Sequence, residues 1–517
     1  MLRLSENTIP KKKSGTTMKF SHPWLPDRGD GMYCNPILYA DYSDPDVVRV
    51  GEDFFLVASS FNCTPGLPIL HSTDLVNWTI VNHALKNLPQ PYYDVVRPGC
   101  GVWAPAIRFH AGKFWIFFPT PDDGIFMVTA DHPTGKWSEP HLVQKGKGLI
   151  DPCPLWDDDG RAYLVHAYAH SRSGIKHMLR VRPMAPDGSK LLGEGEIVFH
   201  DPVKHPTLEG PKFLKKDGWY YILAPAGGVE TGWQVALRSR NIYGPYEDKI
   251  VLAQGDSDIN GPHQGALVDT DEGVWWFVHF QDAGLYGRIV HLQPVKWQDG
   301  WPMMGKNGEP VHRHTKPVTM SGKNRSVPQS SDEFEKSVLG LQWQWNANHY
   351  DGWFSLTRRP GWLRLYPQAA ADSLNAQPNL LLQKFPARSF VAETIMEIAP
   401  RQNGEEAGLV IAGAISHSLG VRQTAGGNFL IVRTDKKEEI ICKVASNCVK
   451  LRVEVSDGGK CSFSFAYETP FTPTPPIFQA TKGNWIGARI GLYSLKHLET
   501  APSGHADFDY FRFKGTA

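Results

Sequence analysis

The chain has 517 residues, with 54 Lys and Arg against 53 Asp and Glu and a formal net charge of +1. That length exceeds one ordinary hydrophobic core, so two or more domains are expected. The even charge balance, with no basic run longer than Lys11-Lys12-Lys13, excludes the basic footprint of a nucleic-acid binder, and no apolar run reaches the eighteen or so residues of a membrane span.

Residues 1–30 form a polar leader, read as disordered, that lacks the apolar core of a signal peptide, so the protein is expected in the cytoplasm. From residue 31 to 305 one short pattern recurs five times. The copies are Asp44-Pro-Asp-Val-Val-Arg-Val, Trp103-Ala-Pro-Ala-Ile-Arg-Phe, Asp151-Pro-Cys-Pro-Leu-Trp, Glu209-Gly-Pro-Lys-Phe-Leu and Pro262-His263-Gln-Gly-Ala-Leu-Val. Each passes a Gly- or Asp-rich turn into an aromatic run, such as Phe54-Phe55, Phe114-Trp115 or Trp275-Trp276-Phe277. A short apolar strand, a tight turn and an aromatic strand make a hairpin signature, and repetition at about fifty residues predicts a five-bladed β-propeller.

In a propeller the first strand of each blade lines the central channel, so Asp44, Trp103, Asp151, Glu209 and His263 are expected to face one another. Asp, Gly and Pro also open strands simply as turn residues. Three carboxylates in register across the copies argue against turn chemistry alone.

Residues 306–331 are rich in Lys, Pro, Ser and Gly and read as a linker. Over 332–517 short alternating segments, among them Phe429-Leu-Ile-Val and Leu451-Arg-Val-Glu-Val, predict an antiparallel β-sandwich. With no long segment of helical periodicity, the expected fold class is all-β. Seven cysteines without a CxxC pair point to free thiols rather than a zinc site.

A carboxylic acid facing a carboxylate across a pocket is the arrangement that hydrolyses glycosidic bonds, and a third carboxylate raises its neighbour's pKa. Trp103 and Phe61 suit the apolar faces of a sugar ring, although most of the 17 Trp, 17 Tyr and 25 Phe must be packing. The glycine-containing stretch Ala226–Gly232 lacks the Lys-Ser/Thr ending of a phosphate loop.

Asn35-Pro-Ile-Leu, Tyr42-Ser-Asp44-Pro-Asp, Pro68-Ile-Leu-His-Ser-Thr-Asp, Trp103-Ala-Pro, Ile150-Asp151-Pro, Leu208-Glu209-Gly-Pro and Gln293-Pro-Val-Lys-Trp resemble, in order, glycoside hydrolase family 43. Leu341-Gln-Trp-Gln-Trp-Asn, Arg359-Pro-Gly-Trp and Ala506-Asp-Phe-Asp-Tyr-Phe resemble the sandwich of its β-xylosidase and α-L-arabinofuranosidase branch. The resemblance implies Asp44 as general base, Glu209 as general acid, and Asp151 as the carboxylate that orients the acid. It further implies Arg288 as a sugar- and carboxylate-contacting arginine, against an ordinary surface arginine. His263 matches a channel histidine that in relatives helps hold calcium through water, and Asp507, Asp509 and Glu333 are candidates for a sandwich calcium.

The function so implied is that of an inverting exo-glycosidase releasing terminal β-D-xylose or α-L-arabinofuranose from hemicellulose-derived oligosaccharides. No cofactor is expected for the chemistry beyond a structural calcium, and no partner beyond a small oligosaccharide, with self-association left open. Two rivals stand beside it. One is a retaining, fructan-cleaving propeller, whose Asn-Asp-Pro-Asn-Gly opening Ser43-Asp44-Pro-Asp46-Val does not match. The other is a sugar-binding propeller without catalysis, in which three intact carboxylates have no purpose.

Overall fold

The computed structural model describes residues 22–317, 325–434, 437–497 and 503–516. Five consecutive four-stranded antiparallel sheets form a ring, followed by two larger sheets stacked as a sandwich. Blade 1 comprises Asp46–Val50, Asp53–Val57, Gly66–Ser72 and Thr79–Leu85. Blade 2 comprises Ala106–His110, Lys113–Thr120, Gly124–Ala130 and His141–Lys145, and blade 3 Leu149–Trp156, Ala162–Tyr168, Met178–Met184 and Glu196–His200. Lys212–Lys216, Trp219–Ala226, Trp233–Ser239 and Glu247–Ala253 make blade 4. Gly265–Asp269, Trp275–Asp282, Arg288–Gln298 and Trp301–Met304 make blade 5. Turn glycines such as Gly51 (φ 62°) and Gly218 (φ 72°) close the first hairpin of a blade, a conformation that costs glycine nothing.

The aromatic second strands explain why the ring holds. Successive side chains of a strand point to opposite faces, and each face of a blade meets a different neighbour. Phe55 and Val57 pack between blades 1 and 2 beside Phe114 and Ile116, whereas Phe54 and Leu56 pack against Trp276 and Val278 of blade 5. Trp115 and Phe117 join blade 2 to Leu164 of blade 3, and Tyr163 and Val165 join blade 3 to Ile222 of blade 4. Leu223 with Phe277 and Trp301 completes the circuit between blades 4 and 5. Burial on both faces gives these strands continuous apolar runs instead of alternation. Each fully buried large side chain stabilises by about 1.5–3 kcal/mol.

Met32–Cys34 pairs antiparallel with Arg313–Thr315, which lies within the stretch read as linker, and Leu38 bridges Val290 across the seam. Of the expected leader, 1–21 lies outside the described residues. Beyond it Trp24 donates its indole N–H to the Pro36 carbonyl, and buried Asp27 pairs with Lys316 at 2.6 Å. Residues 318–324 of the linker also lie outside the described residues.

The sandwich core takes in three propeller side chains, Tyr39, Tyr286 and Ile289, beside Trp343, Trp345 and Phe385. Thr64 of blade 1 bridges Trp345, and the Asn62 amide donates to the Asn346 carbonyl at 2.6 Å. The two halves therefore share core and backbone ladder. No helix among the described residues is long and apolar enough to cross a membrane.

Candidate active site

A cavity of about 370 Å³ opens at one end of the propeller channel. The seven residues singled out from sequence, Asp44, Phe61, Trp103, Asp151, Glu209, His263 and Arg288, all line it. Four of the five repeat residues lie just before an inner strand rather than on it: Asp44 ahead of Asp46–Val50, Trp103 ahead of Ala106–His110, Glu209 ahead of Lys212–Lys216 and His263 ahead of Gly265–Asp269. Asp151 falls inside Leu149–Trp156, where a bulge between Ile150 and Cys153 releases it from the ladder. Asp44 and Glu209 thus stand at strand starts and Asp151 at a bulge, with Glu209 donating its backbone N–H to the Pro225 carbonyl at 3.1 Å.

Asp44 (φ 54°), Phe61 (φ 50°), Asp151 (φ 56°), Thr207 (φ 57°) and Trp485 (φ 66°) all line the cavity in the left-handed region. L-residues adopt that conformation at a cost, and its concentration here aims side chains inward that an extended backbone would direct elsewhere.

Asp44 is held on several sides. Ser43 and Ser59 hydroxyls each donate to Oδ2 at 2.6 Å, and Arg288 Nη1 lies 3.1 Å from Oδ1. Three donors on one carboxyl fix its orientation. Asp151, 5% exposed, accepts the backbone N–H of Gly210 at 2.8 Å, next in sequence to Glu209. Burial first, then the Glu209 and Asp44 charges, push the Asp151 carboxyl up to about 8. Burial and Asp44 raise Glu209 to about 7 against the opposing pull of Arg288 and Lys176. Both carboxyls therefore keep their protons to higher pH than free carboxyls do.

Arg288 stacks over Phe280 at 4.8 Å and over Trp485 at 5.5 Å. His263 is 2% exposed, its Nε2 3.6 Å from Glu209 Oε1, beyond hydrogen-bond distance. Burial and Arg288 depress its pKa to about 3, leaving a neutral imidazole.

Residues 33–302 match the model for glycosyl hydrolases family 43, and residues 331–514 that for the β-xylosidase C-terminal concanavalin A-like domain. The chain belongs to glycosyl hydrolases family 43. It is a glycoside hydrolase, and the family's chemistry needs no cofactor. A provisionally named β-xylosidase of Xylanibacter ruminicola is 40% identical over 478 residues, covering 90% of this chain and 86% of its own length. A non-reducing end α-L-arabinofuranosidase of Bacteroides ovatus is 29% identical, covering 93% of this chain and 94% of its own. Among solved structures, a xylan β-1,4-xylosidase from Bacillus halodurans superposes with a TM-score of 0.83 at 27% identity, covering 93% of this chain and 99% of that one.

The calcium expectations fare differently from the carboxylates. Calcium takes six to eight oxygen ligands, yet His263 offers nitrogen, and no group of three metal-holding side chains assembles among the described residues. The donor set does not fit a directly bound ion, and no step is routed through one. In the sandwich, Asp507 is held by Arg364 and Arg359, and Glu333 by Arg512. Guanidinium groups occupy the place proposed for calcium at these two carboxylates.

Sequence reasoning missed Ser43, Ser59, Lys176 and Trp485. Ser43 adjoins Asp44 within a quoted motif, but a hydroxyl beside an acid carries no signal of its own. Trp485 lies in the sandwich with no repeat to mark it.

Proposed function

We propose that this family 43 enzyme is an inverting exo-glycosidase removing terminal pentose, β-D-xylose and/or α-L-arabinofuranose, from hemicellulose-derived oligosaccharides. The observation that carries the mechanism is that Asp44, fixed by two hydroxyls and an arginine, lines one cavity with Glu209, whose carboxyl burial and Asp44 raise to about 7. Glu209 is the general acid and Asp44 the general base. Asp44 takes a proton from water as the water oxygen attacks the anomeric carbon. The glycosidic C–O bond breaks, and Glu209 delivers its proton to the departing oxygen. Inversion needs the acid and base about 6.5–9.5 Å apart, leaving room for that water.

Asp151 anchors the acid's backbone through Gly210. Arg288 donates to Asp44 and lines the cavity, where Trp103 and Phe61 offer ring faces. Neutral His263 packs beside Glu209 and adds no further cation to the pull of Arg288 and Lys176. The pentose reading is supported by the names of relatives covering nearly the full chain. Exo action is supported by Trp485, which projects from the sandwich to wall the cavity on one side. The retaining and purely sugar-binding alternatives give way to family membership.

Hydrolysis of paired aryl β-D-xylopyranoside and α-L-arabinofuranoside by wild type and Asp44→Asn tests this. Turnover of either by wild type, reduced at least about 10³-fold in the variant, is expected for loss of a general base. Absence of turnover on both, in folded protein, would move the function to another glycan.

A further inference from the structure

Asp41 lies three residues before Asp44, is 4% exposed and belongs to none of the groups facing the cavity. Its two oxygens accept from two different parts of the molecule. Oδ1 takes the backbone N–H of Arg288 at 2.9 Å, and Oδ2 the backbone N–H of Gly487 at 2.9 Å. Arg288 opens the third strand of blade 5, whereas Gly487 belongs to the sandwich turn that carries Trp485. The Arg288 side chain runs on to Asp44, and its guanidinium meets the Trp485 ring.

The surroundings leave this junction no slack. A Cβ on Gly287 would fall 2.5 Å from Asp41 Cγ, and one on Gly487 would fall 2.7 Å from Gly287 N. Ala488 donates to the Leu285 carbonyl at 2.7 Å beside it. Trp485, 48% exposed and at φ 66°, has a conformation its own residue type disfavours, so something outside it must hold the turn.

We propose that Asp41 is a positioning residue: its carboxylate clamps the sandwich turn to blade 5, and so sets the Trp485 wall against Arg288 and the base. A buried carboxylate with two N–H donors suits this task because both bonds are charge-assisted and share one rigid plane. An amide of the same shape has one accepting oxygen, so one donor then faces an NH₂ group.

The catalytic part of the test rests on the pentosidase reading; the structural part does not. In Asp41→Asn, mass-spectrometric amide exchange over the segment containing Trp485 and Gly487 is expected to quicken by about ten-fold or more, the scale set by one lost bond to a charged group. Exchange unchanged from wild type overturns the clamp. On xylobiose, the same variant is expected to lose about ten-fold or more in kcat/KM, mainly through KM. In a Trp485→Ala background the Asp41→Asn effect is expected to shrink to about two-fold, because the wall it positions is gone. Full additivity overturns the assigned route, since a merely structural role would add independently. Gly487→Ala strains the same tie from the sandwich side and repeats the test should Asp41→Asn fail to fold. A wild type that releases no pentose overturns the pentosidase reading, while the exchange result still decides the clamp.

Discussion

Replacing Glu209 with Gln keeps its shape and removes the transferable proton. Natural disaccharides, with poor leaving groups, are expected to lose about 10³-fold in kcat, while activated aryl pentosides lose far less; equal losses in steady-state assays would count against Glu209 as the acid. The Asp151–Glu209 pair also makes a pH prediction. The proton on Glu209, whose carboxyl is raised to about 7, is lost as pH rises through that value, so kcat/KM falls there. Stability falls with rising pH as activity does. Both carboxyls have folded pKa values above their unfolded ones, so the native state binds more protons between about pH 4 and about 8 and loses stability as pH rises through that window. Asp151→Asn is therefore expected to melt above wild type at pH 9, by something on the order of 1–3 kcal/mol, with the gain vanishing near pH 4. Thermal melts at the two pH values check this. At this scale the three acids were legible because each sits where a turn meets an apolar strand. The serines that fix Asp44 were not, because a hydroxyl's role depends on a neighbour the linear pattern does not specify.

Among the elements, the strand starts carry the site, and their accuracy depends on loops locked to neighbouring blades. Phe61 and Val102 exchange backbone bonds at 2.9 and 3.0 Å, tying the rim of blade 1 to the approach into blade 2. Gly101, at φ 91°, sits against this tie, and a Cβ there would lie 2.2 Å from the Phe61 carbonyl oxygen. Gly101→Ala is expected to destabilise by more than about 1 kcal/mol and to lower kcat/KM by displacing Phe61, seen in melting and in steady-state kinetics. A neutral result in both would show that the rim yields where the geometry says it is rigid. The repeat predicted five hairpins because glycine turns and aromatic strands are local signals. The bulge that frees Asp151 was not legible, since nothing in Asp151-Pro-Cys-Pro distinguishes a paired from an unpaired residue until the partner strand is known. The same holds for the placement of Asp44 and Glu209 ahead of their strands rather than along them.

For the whole molecule, propeller and sandwich have no clean division. Tyr39, Tyr286 and Ile289 of the propeller lie in the sandwich core, and Asn62 and Thr64 bond to the strand around Trp345. A propeller cut off before residue 331 exposes these apolar side chains to water and loses Trp485. It is expected to be poorly soluble and without activity on oligosaccharides, and calorimetry of the full chain is expected to give one transition instead of two. Two separate transitions, or an active propeller fragment, would show that the shared core is dispensable. The sandwich itself was legible in its alternating strands; its share in the cavity was not, because contact between distant segments leaves no trace in local pattern. The position of Trp485 also bears on how the enzyme comes into being. Blades are contiguous in sequence and emerge from the ribosome in order, so each can begin to pack as it appears. The pocket takes a residue from every blade and one from the last sandwich turns, so translation must pass Trp485 before the growing polypeptide owns a finished site.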